Sequence, residues 1–239
     1  VEQVSEVPND SVVVFSAHGS PPKDYEDAKK KNLRVLDATC PLVTRVHNEA
    51  KKYKKEGKKI ILVGHKGHQE VIGTTGQSDM ELIDDRDDWV LPKFGKNEQI
   101  AVLTQTTLSV DDTSKTIKKI LDSKPDAIIR NDICYATTNR QQAAIELADL
   151  TELVLVIGAS NSSNCNRLRD VAIKKGVPAY LINGPEELDM NWLKNVSKIG
   201  ITSGASTPEK QVQSVIKAIN PKNIHNVGPG ERKTIFSLP

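Results

Sequence analysis

Short runs of apolar, mostly β-branched residues alternate with longer stretches of helical spacing along almost the whole chain. The strand-like runs fall at 11–16, 33–36, 59–64, 98–104, 152–158, 177–182 and 197–202. Helical spacing occupies 41–57, 109–122, 137–150, 162–176 and 206–219. Alternation of this kind predicts parallel α/β units. Runs such as Val12-Val-Val-Phe15 and Leu153-Val-Leu-Val-Ile157 are continuous rather than alternating, which predicts strands covered by helices on both sheet faces. Ser109-Val-Asp-Asp112 marks one helix start, and Pro208 falls within the first turn expected after Ser206.

The elements repeat. Asp37-Ala-Thr-Cys40 and Asp132-Ile-Cys134 each lead into a helical segment and then an apolar strand ending in glycine, and Gly64 and Gly158 both follow their cysteine by 24 positions. Each copy closes on a further strand tipped by small hydroxyl residues, Ala101 to Thr107 and Ile199 to Ser206. A third such ending, Val12 to Gly19, precedes the first full copy. The repeat therefore expects another unit ahead of Val1, with its own cysteine about 50 residues upstream. The domain boundaries predicted are the remainder of a first α/β domain at 1–39 together with the tail 220–239, a second domain at 40–133 and a third at 134–219. The tail is rich in turns and ends in a strand-like Thr234-Ile-Phe-Ser237 suited to completing the first unit.

Composition narrows the function. The 239 residues carry 33 Lys and Arg against 31 Asp and Glu, a net charge of +2, without the concentrated basic face that a nucleic acid requires. The basic run Lys51 to Lys59 reads as the solvated C-terminal end of a helix, where cations suit the dipole. No apolar run approaches the ~20 residues that span a bilayer, and no signal peptide is visible. Three widely spaced cysteines are not a disulfide framework, and a reducing cytosol is the expected setting.

The residues beyond the strand ends are small or polar: His18, Gly64 to His68, Thr106 and Thr107, Gly158 to Asn164, and Ser206. Ligands of open α/β sheets sit at such carboxyl ends. Cys40 and Cys134 precede their helices at matched places, where dipole and free N–H groups favour thiolates. With a third thiolate from the expected upstream unit they would hold a four-iron cluster and leave one iron open to a substrate oxygen. Cys165 has no counterpart in the other copy and reads as a packing residue at a helix start. Asn161-Ser-Ser-Asn164 opens a helix with more hydroxyls and amides than a cap needs, as an anion site would. His18, His68 and Ser206 complete a set able to hold a diphosphate, whereas neither a P-loop nor a Gly-x-Gly-x-x-Gly fingerprint is present. Glu70 is a candidate proton donor at the rim of the site, its pKa raised by its surroundings. His65, His68 and Glu70 have spacing compatible with a metal, but no second cluster completes it. The acidic patch Asp84 to Asp88 is expected to cap a short helix, while His47 and His225 read as surface or packing residues.

Six motifs carry a resemblance: Phe15-Ser-Ala-His-Gly19, Asp37-Ala-Thr-Cys-Pro-Leu-Val-Thr44, Gly64-His-Lys-Gly-His-Gln-Glu70, Thr104-Gln-Thr-Thr-Leu-Ser109, Asp132-Ile-Cys-Tyr-Ala-Thr-Thr-Asn-Arg140 and Asn161-Ser-Ser-Asn164. Together, and from Val1 to the tail, the chain resembles the 4-hydroxy-3-methylbut-2-enyl diphosphate reductase family. The resemblance implies a pseudo-threefold trefoil of three small parallel-sheet α/β domains around a central 4Fe-4S cluster. It also implies the last step of the non-mevalonate isoprenoid pathway, in which an allylic hydroxyl is removed reductively to give isopentenyl and dimethylallyl diphosphate. Cys40 and Cys134 would be cluster ligands, Glu70 the acid and Thr106 its neighbour at the leaving hydroxyl. His18, His68, Ser162, Asn164 and Ser206 would hold the diphosphate, with Ser163 beside them. Reduced ferredoxin or flavodoxin would supply electrons, in a bacterial cytoplasm or a plastid-like organelle.

The family's N-terminal part, with its first cluster cysteine and a further histidine, is not in these residues, and without it they are expected to hold a cluster poorly. Two other readings follow: a diphosphate-binding module without catalysis, and a metal-dependent phosphohydrolase built on His65, His68 and Glu70. The latter predicts a colourless zinc or manganese protein that needs no electron donor.

Overall fold

A computed structural model describes residues 1, 3–95 and 98–227; the strand expected at Thr234 to Ser237 lies outside them. The described chain forms three separate parallel sheets. The first pairs β1 (Val12–Phe15) with β2 (Arg34–Asp37) across α1 (Pro22–Lys30). The second has the order β4-β3-β5-β6, from β3 (Lys59–Val63), β4 (Glu81–Ile83), β5 (Ile100–Thr104) and β6 (Ile128–Ile129). The third has the order β8-β7-β9, from β7 (Leu153–Ile157), β8 (Ala179–Ile182) and β9 (Ile199–Ser203). The helices are α2 (Pro41–Lys55), α3 (Gln69–Thr75), α4 (Val110–Ser123), α5 (Tyr135–Leu150), α6 (Ser163–Lys174) and α7 (Glu209–Ile219).

Element by element the repeat holds. The succession α2-β3-α3-β4-β5-α4 matches α5-β7-α6-β8-β9-α7, and in each copy the first strand pairs in parallel with the other two. The leading β1-α1-β2 matches β5-α4-β6, and both of those pairs are parallel and lead to a cysteine. The described chain divides into two compact units, residues 1–106 with 111–133, and 107–110 with 134–227.

Burial in the central strands follows from their being sandwiched. In β7, Val154 and Val156 pack with Ala144, Ala148, Leu168 and Ala172 of α5 and α6, while Leu153, Leu155 and Ile157 pack on the other face with Val215 of α7. In the other unit, Ile60 and Leu62 meet Val46, Ala50 and Tyr53 of α2, Val71 of α3, and Ala101 and Leu103 of β5. The two-residue period of side chains along a strand distributes these residues between faces, and an apolar run is needed because both faces are covered.

The valines of β1 depart from that expectation. Val12 and Val14 are 59% and 61% exposed, because among the described residues only the Phe15 side of this two-stranded sheet is covered, Phe15 meeting the Tyr25 ring edge-on at 4.8 Å. Four elements arise where no helical or strand pattern was expected: α1, α3, β4 and β6. Pro208 caps α7 from just outside it rather than lying in its first turn. Lys52, Lys54 and Lys55 do form the last turn of α2. No helix among the described residues is long and apolar enough to cross a membrane.

Close backbone approach fixes α3 against the end of β1. A methyl group added at Gly73 would lie 2.6 Å from the Gly19 carbonyl oxygen and 2.9 Å from its carbon. Backbone cannot swing aside as a side-chain tip can, so Gly73→Ala is expected to destabilise the protein by about 1–3 kcal/mol, read as a lower urea midpoint at unchanged slope. An unaltered midpoint would mean that α3 is not seated there.

Candidate functional site

In the first unit, the loops after β1, β3 and β5 carry the polar groups. Gly19 takes a φ of +78° just after His18 and its N–H closes a turn on the Ser16 carbonyl. His68 is the N-cap of α3, its Nδ1 accepting the Glu70 backbone N–H at 3.2 Å. The His18 and His68 rings meet edge-to-face with centroids 5.4 Å apart. Seating α3 against Gly19 thus brings together two histidines 50 residues apart in sequence. Desolvation lowers the pKa of His68 to about 4, with the neighbouring His18 adding to the effect; His18 is itself lowered by desolvation. Burial thus disfavours the charged form of both rings. Because Nδ1 of His68 is an acceptor, its proton sits on Nε2.

Glu70 is 3% exposed. It accepts the Thr106 backbone N–H at 2.6 Å and lies 2.9 Å from the Thr106 hydroxyl, so the loop after β5 holds both carboxyl oxygens. Burial raises its pKa from 4.5 to about 7; the two Thr106 bonds oppose the rise, and the negative charge of Asp132 adds to it. This is a carboxyl group that keeps its proton near neutrality, as a general acid must.

Cys40 is the N-cap of α2, with Pro41 at the first helical position and no helix N–H taken by its sulfur. Its backbone is anchored on the Ala17 carbonyl at 3.0 Å. The preceding Asp37 accepts the Tyr25 hydroxyl at 2.6 Å and both the Thr39 N–H and hydroxyl, which freezes the loop that presents the thiol. Burial and Asp37 together push the Tyr25 phenol up to about 12. His47, expected to be a surface or packing residue, is 7% exposed and packs against Gly19.

In the second unit, Cys134 is the N-cap of α5, the same place as Cys40 in its copy. Its sulfur accepts the Thr137 N–H at 3.3 Å and lies 3.1 Å from the Thr137 hydroxyl. Both cysteines are free and half-buried. Ser162 caps α6, accepting the Cys165 N–H at 3.4 Å. Ser163 meets the Thr107 hydroxyl at 3.4 Å. Asn164 is 8% exposed, yet neither its amide oxygen nor its nitrogen has a hydrogen-bond partner among the described residues. Burying an amide unpaired is costly, so Asn164 is left with polar capacity for a ligand. Ser206 is exposed on the loop before α7. Cys165 is 2% exposed, and methyl groups added at either Gly158 or Gly204 would stand 2.4 Å from its sulfur. It fills the gap between two glycines and is a packing residue.

Two expectations are corrected. His65 Nε2 lies 3.2 Å from Asp85, and the group of ligating side chains that gathers among the described residues is His65 with Asp84 and Asp85 rather than with His68 and Glu70, so the metal set of the phosphohydrolase reading is not the one that forms. The acidic patch caps no helix, since 84–88 are turn and irregular chain; Asp84 and Asp85 reach back instead to the loop after β3. That contact has no local sequence signature, because its partners are 18 and 20 positions away.

Comparison with known proteins places the chain among relatives. The family described as LytB protein matches residues 1–220. The 4-hydroxy-3-methylbut-2-enyl diphosphate reductase of Glaesserella parasuis serovar 5 is 47% identical over 249 residues, covering 100% of this chain and 79% of the relative. That of Alcanivorax borkumensis is 47% identical over 253 residues, with 100% and 80% covered. Among solved structures, the E-1-hydroxy-2-methyl-but-2-enyl-4-diphosphate reductase of Plasmodium falciparum superposes with a TM-score of 0.87 at 36% identity, covering 97% of this chain and 77% of that one.

Proposed function

The chain belongs to the LytB family, and from that premise we infer how its residues divide the work of a reductive dehydroxylation. The reaction is removal of the allylic hydroxyl of (E)-4-hydroxy-3-methylbut-2-enyl diphosphate, giving isopentenyl and dimethylallyl diphosphate at the end of the non-mevalonate pathway. It consumes two electrons and two protons and releases water. The observation that carries the assignment of roles is the Glu70–Thr106 pair, a buried carboxyl group with a pKa of about 7 bonded twice to one threonine.

The family is iron–sulfur dependent, and the donor chemistry here fits a 4Fe-4S cluster. Cys40 and Cys134 are free thiols at helix N-termini in matching copies, whereas Cys165 is sealed in a core. Cys40 and Cys134 are the ligands this chain would contribute. Bound, the cluster would supply electrons singly, from a reduced ferredoxin or flavodoxin in a reducing cytoplasm, together with Lewis acidity toward the alcohol.

The remaining steps belong to the side chains. Nε2–H of His68 and the His18 ring donate to the diphosphate, joined by Ser162, Asn164 and Ser206, with Ser163 adjoining. Glu70 holds a proton on the oxygen facing the Thr106 hydroxyl. Thr106, 2.9 Å away, passes a proton to the departing hydroxyl while accepting that of Glu70. Because burial disfavours their charged forms, the two rings bring donors rather than fixed charge to the arriving substrate.

The test is anaerobic conversion of the hydroxylated diphosphate by cluster-loaded protein with dithionite as reductant. Formation of the two isoprenyl diphosphates is expected, and a loaded protein that forms neither overturns the reading. The histidines give a second measurement. An anion raises the pKa of adjacent imidazoles, and both His18 and His68 start below their ordinary value of 6.5. Inorganic pyrophosphate binding at pH 6–7 is therefore expected to take up protons. Calorimetric enthalpies should rise with buffer ionisation enthalpy, and affinity should fall as pH rises. A slope of zero would mean that neither ring gains a proton.

A further inference from the structure

The turn that joins β3 to α3 runs from His65 to His68, closed by the His68 N–H on the His65 carbonyl at 3.1 Å with Gly67 at a φ of +83°. It ends on the histidine assigned above to the diphosphate. β4 lies parallel to β3 with Ile83 opposite Val63, so Asp84 and Asp85 leave the sheet beside this turn. Asp84 Oδ2 accepts the Lys66 backbone N–H at 2.8 Å. Asp85 Oδ1 lies 3.2 Å from His65 Nε2, and the side chains of that pair are only 2% and 9% exposed. On the other side, the His65 N–H donates to Gln105 Oε1 at 2.9 Å. Arg86 closes back on Asp84 through its backbone N–H, Nε and Nη2 at 3.1, 2.9 and 2.6 Å.

We propose that Asp84 and Asp85 are positioning residues for the reaction: a two-carboxylate clamp that fixes the 65–68 turn and so aims His68 at the diphosphate. The inference rests on the role given to His68 in the proposed function. The fold leaves Glu70 largely independent of the clamp, because its carboxyl group is tied to Thr106. The clamp therefore acts on binding more than on proton delivery.

The same His65, Asp84 and Asp85 put ligand atoms within 4.8 Å of one another, the spacing of an incomplete metal site. Asp84, however, already accepts four N–H groups, one from Lys66 and three from Arg86. Four is about the full capacity of a carboxylate. Its pKa is accordingly held well below the usual carboxylate range, chiefly by the Arg86 hydrogen bonds. A hydrogen-bonded clamp uses Asp84 as found; a cation would first have to displace Arg86.

The experiment compares Asp84→Ala, Asp84→Asn and Asp85→Ala in the cluster-loaded protein. Losing the Lys66 tether is expected to raise KM and the Kd for inorganic pyrophosphate about tenfold while leaving kcat within about threefold. Iron content should be unchanged. Asp84→Asn keeps an oxygen for the Lys66 N–H and should restore most of the affinity. Asp85→Ala breaks the other half of the clamp, should raise KM in the same direction, and stands in if Asp84→Ala does not fold. Unchanged KM in the alanine variants, a loss confined to kcat, or failure of asparagine to rescue would overturn the clamp. So would dependence of wild-type pyrophosphate affinity on added Zn²⁺ or on EDTA, since a metal would then be organising the turn. Wild-type protein that neither turns over nor binds pyrophosphate would instead refute the underlying function.

Discussion

Glu70→Gln is expected to keep its fold and its iron yet lose turnover by roughly a hundred- to ten-thousandfold, the usual worth of a positioned general acid. Glutamine matches the shape of the neutral acid: its oxygen accepts the Thr106 N–H as Glu70 does, and its NH₂ donates toward the Thr106 hydroxyl. What it lacks is a transferable proton. The wild-type pH profile must agree. With a pKa of about 7, the acid form is present below pH 7, so kcat should fall as pH rises through that value. Stability moves in the same direction. A folded-state pKa raised above the unfolded 4.5 gives a contribution fully present below pH 4.5 and lost as pH rises through about 7, amounting to about 3 kcal/mol at most. Glutamine is never ionised, so the variant should gain stability relative to wild type between pH 5 and pH 8. Full turnover in the variant would remove Glu70 from proton delivery. A constant stability difference across that range would show that the carboxyl group is not held neutral by burial.

Much of this candidate site is legible in the sequence alone, because its parts recur at fixed intervals. The 24-residue spacing from cysteine to glycine reflects one helix and one strand of matching length, so Cys40 and Cys134 emerge as the caps of α2 and α5. The sequence Asn161 to Asn164 was legible for a similar local reason, since caps are written in neighbouring residues. Cys165 was separable from the other two because it breaks the repeat, and the glycines that enclose it explain why a small, apolar sulfur belongs there.

What escaped the sequence was non-local or charged. α1 contains Lys23, Asp24, Glu26, Asp27, Lys29 and Lys30, and buries only Ala28, so its hydrophobic period is too faint to register. Asp84 reads as a cap because caps are commonly aspartates; beyond its local bonds to Arg86, it also accepts a backbone N–H across a parallel strand pair, set by the Ile83–Val63 register. The valines of β1 resemble those of β7 in sequence and differ only in what lies over them. An apolar run records that a strand can be covered, not which element covers it. Glu70 could be suspected as an acid from its neighbours in the chain. Its burial against Thr106, 36 positions on, depends on β3 and β5 being adjacent.

The three cysteines should separate sharply when each is replaced by serine in protein purified without oxygen. Cys134→Ser and Cys40→Ser are expected to lose most bound iron and the brown colour of a thiolate-held cluster, because a hydroxyl at a helix N-terminus is a far poorer ligand for iron than a thiolate. Turnover should vanish with the iron, but the iron and absorbance readings stand without it. Neither variant should melt much earlier than the apo-protein, since both positions are N-caps, which serine fills well, and neither sulfur lies in a sealed core. Cys165→Ser should do the reverse. Its hydroxyl would enter a site 2% exposed, between Gly158 and Gly204. Stability should fall by about 1–3 kcal/mol with iron retained. If iron followed Cys165 instead, the matched helix caps would not be the ligand positions. If iron survived in both the Cys40 and Cys134 variants, the repeat would have no role in holding a cluster.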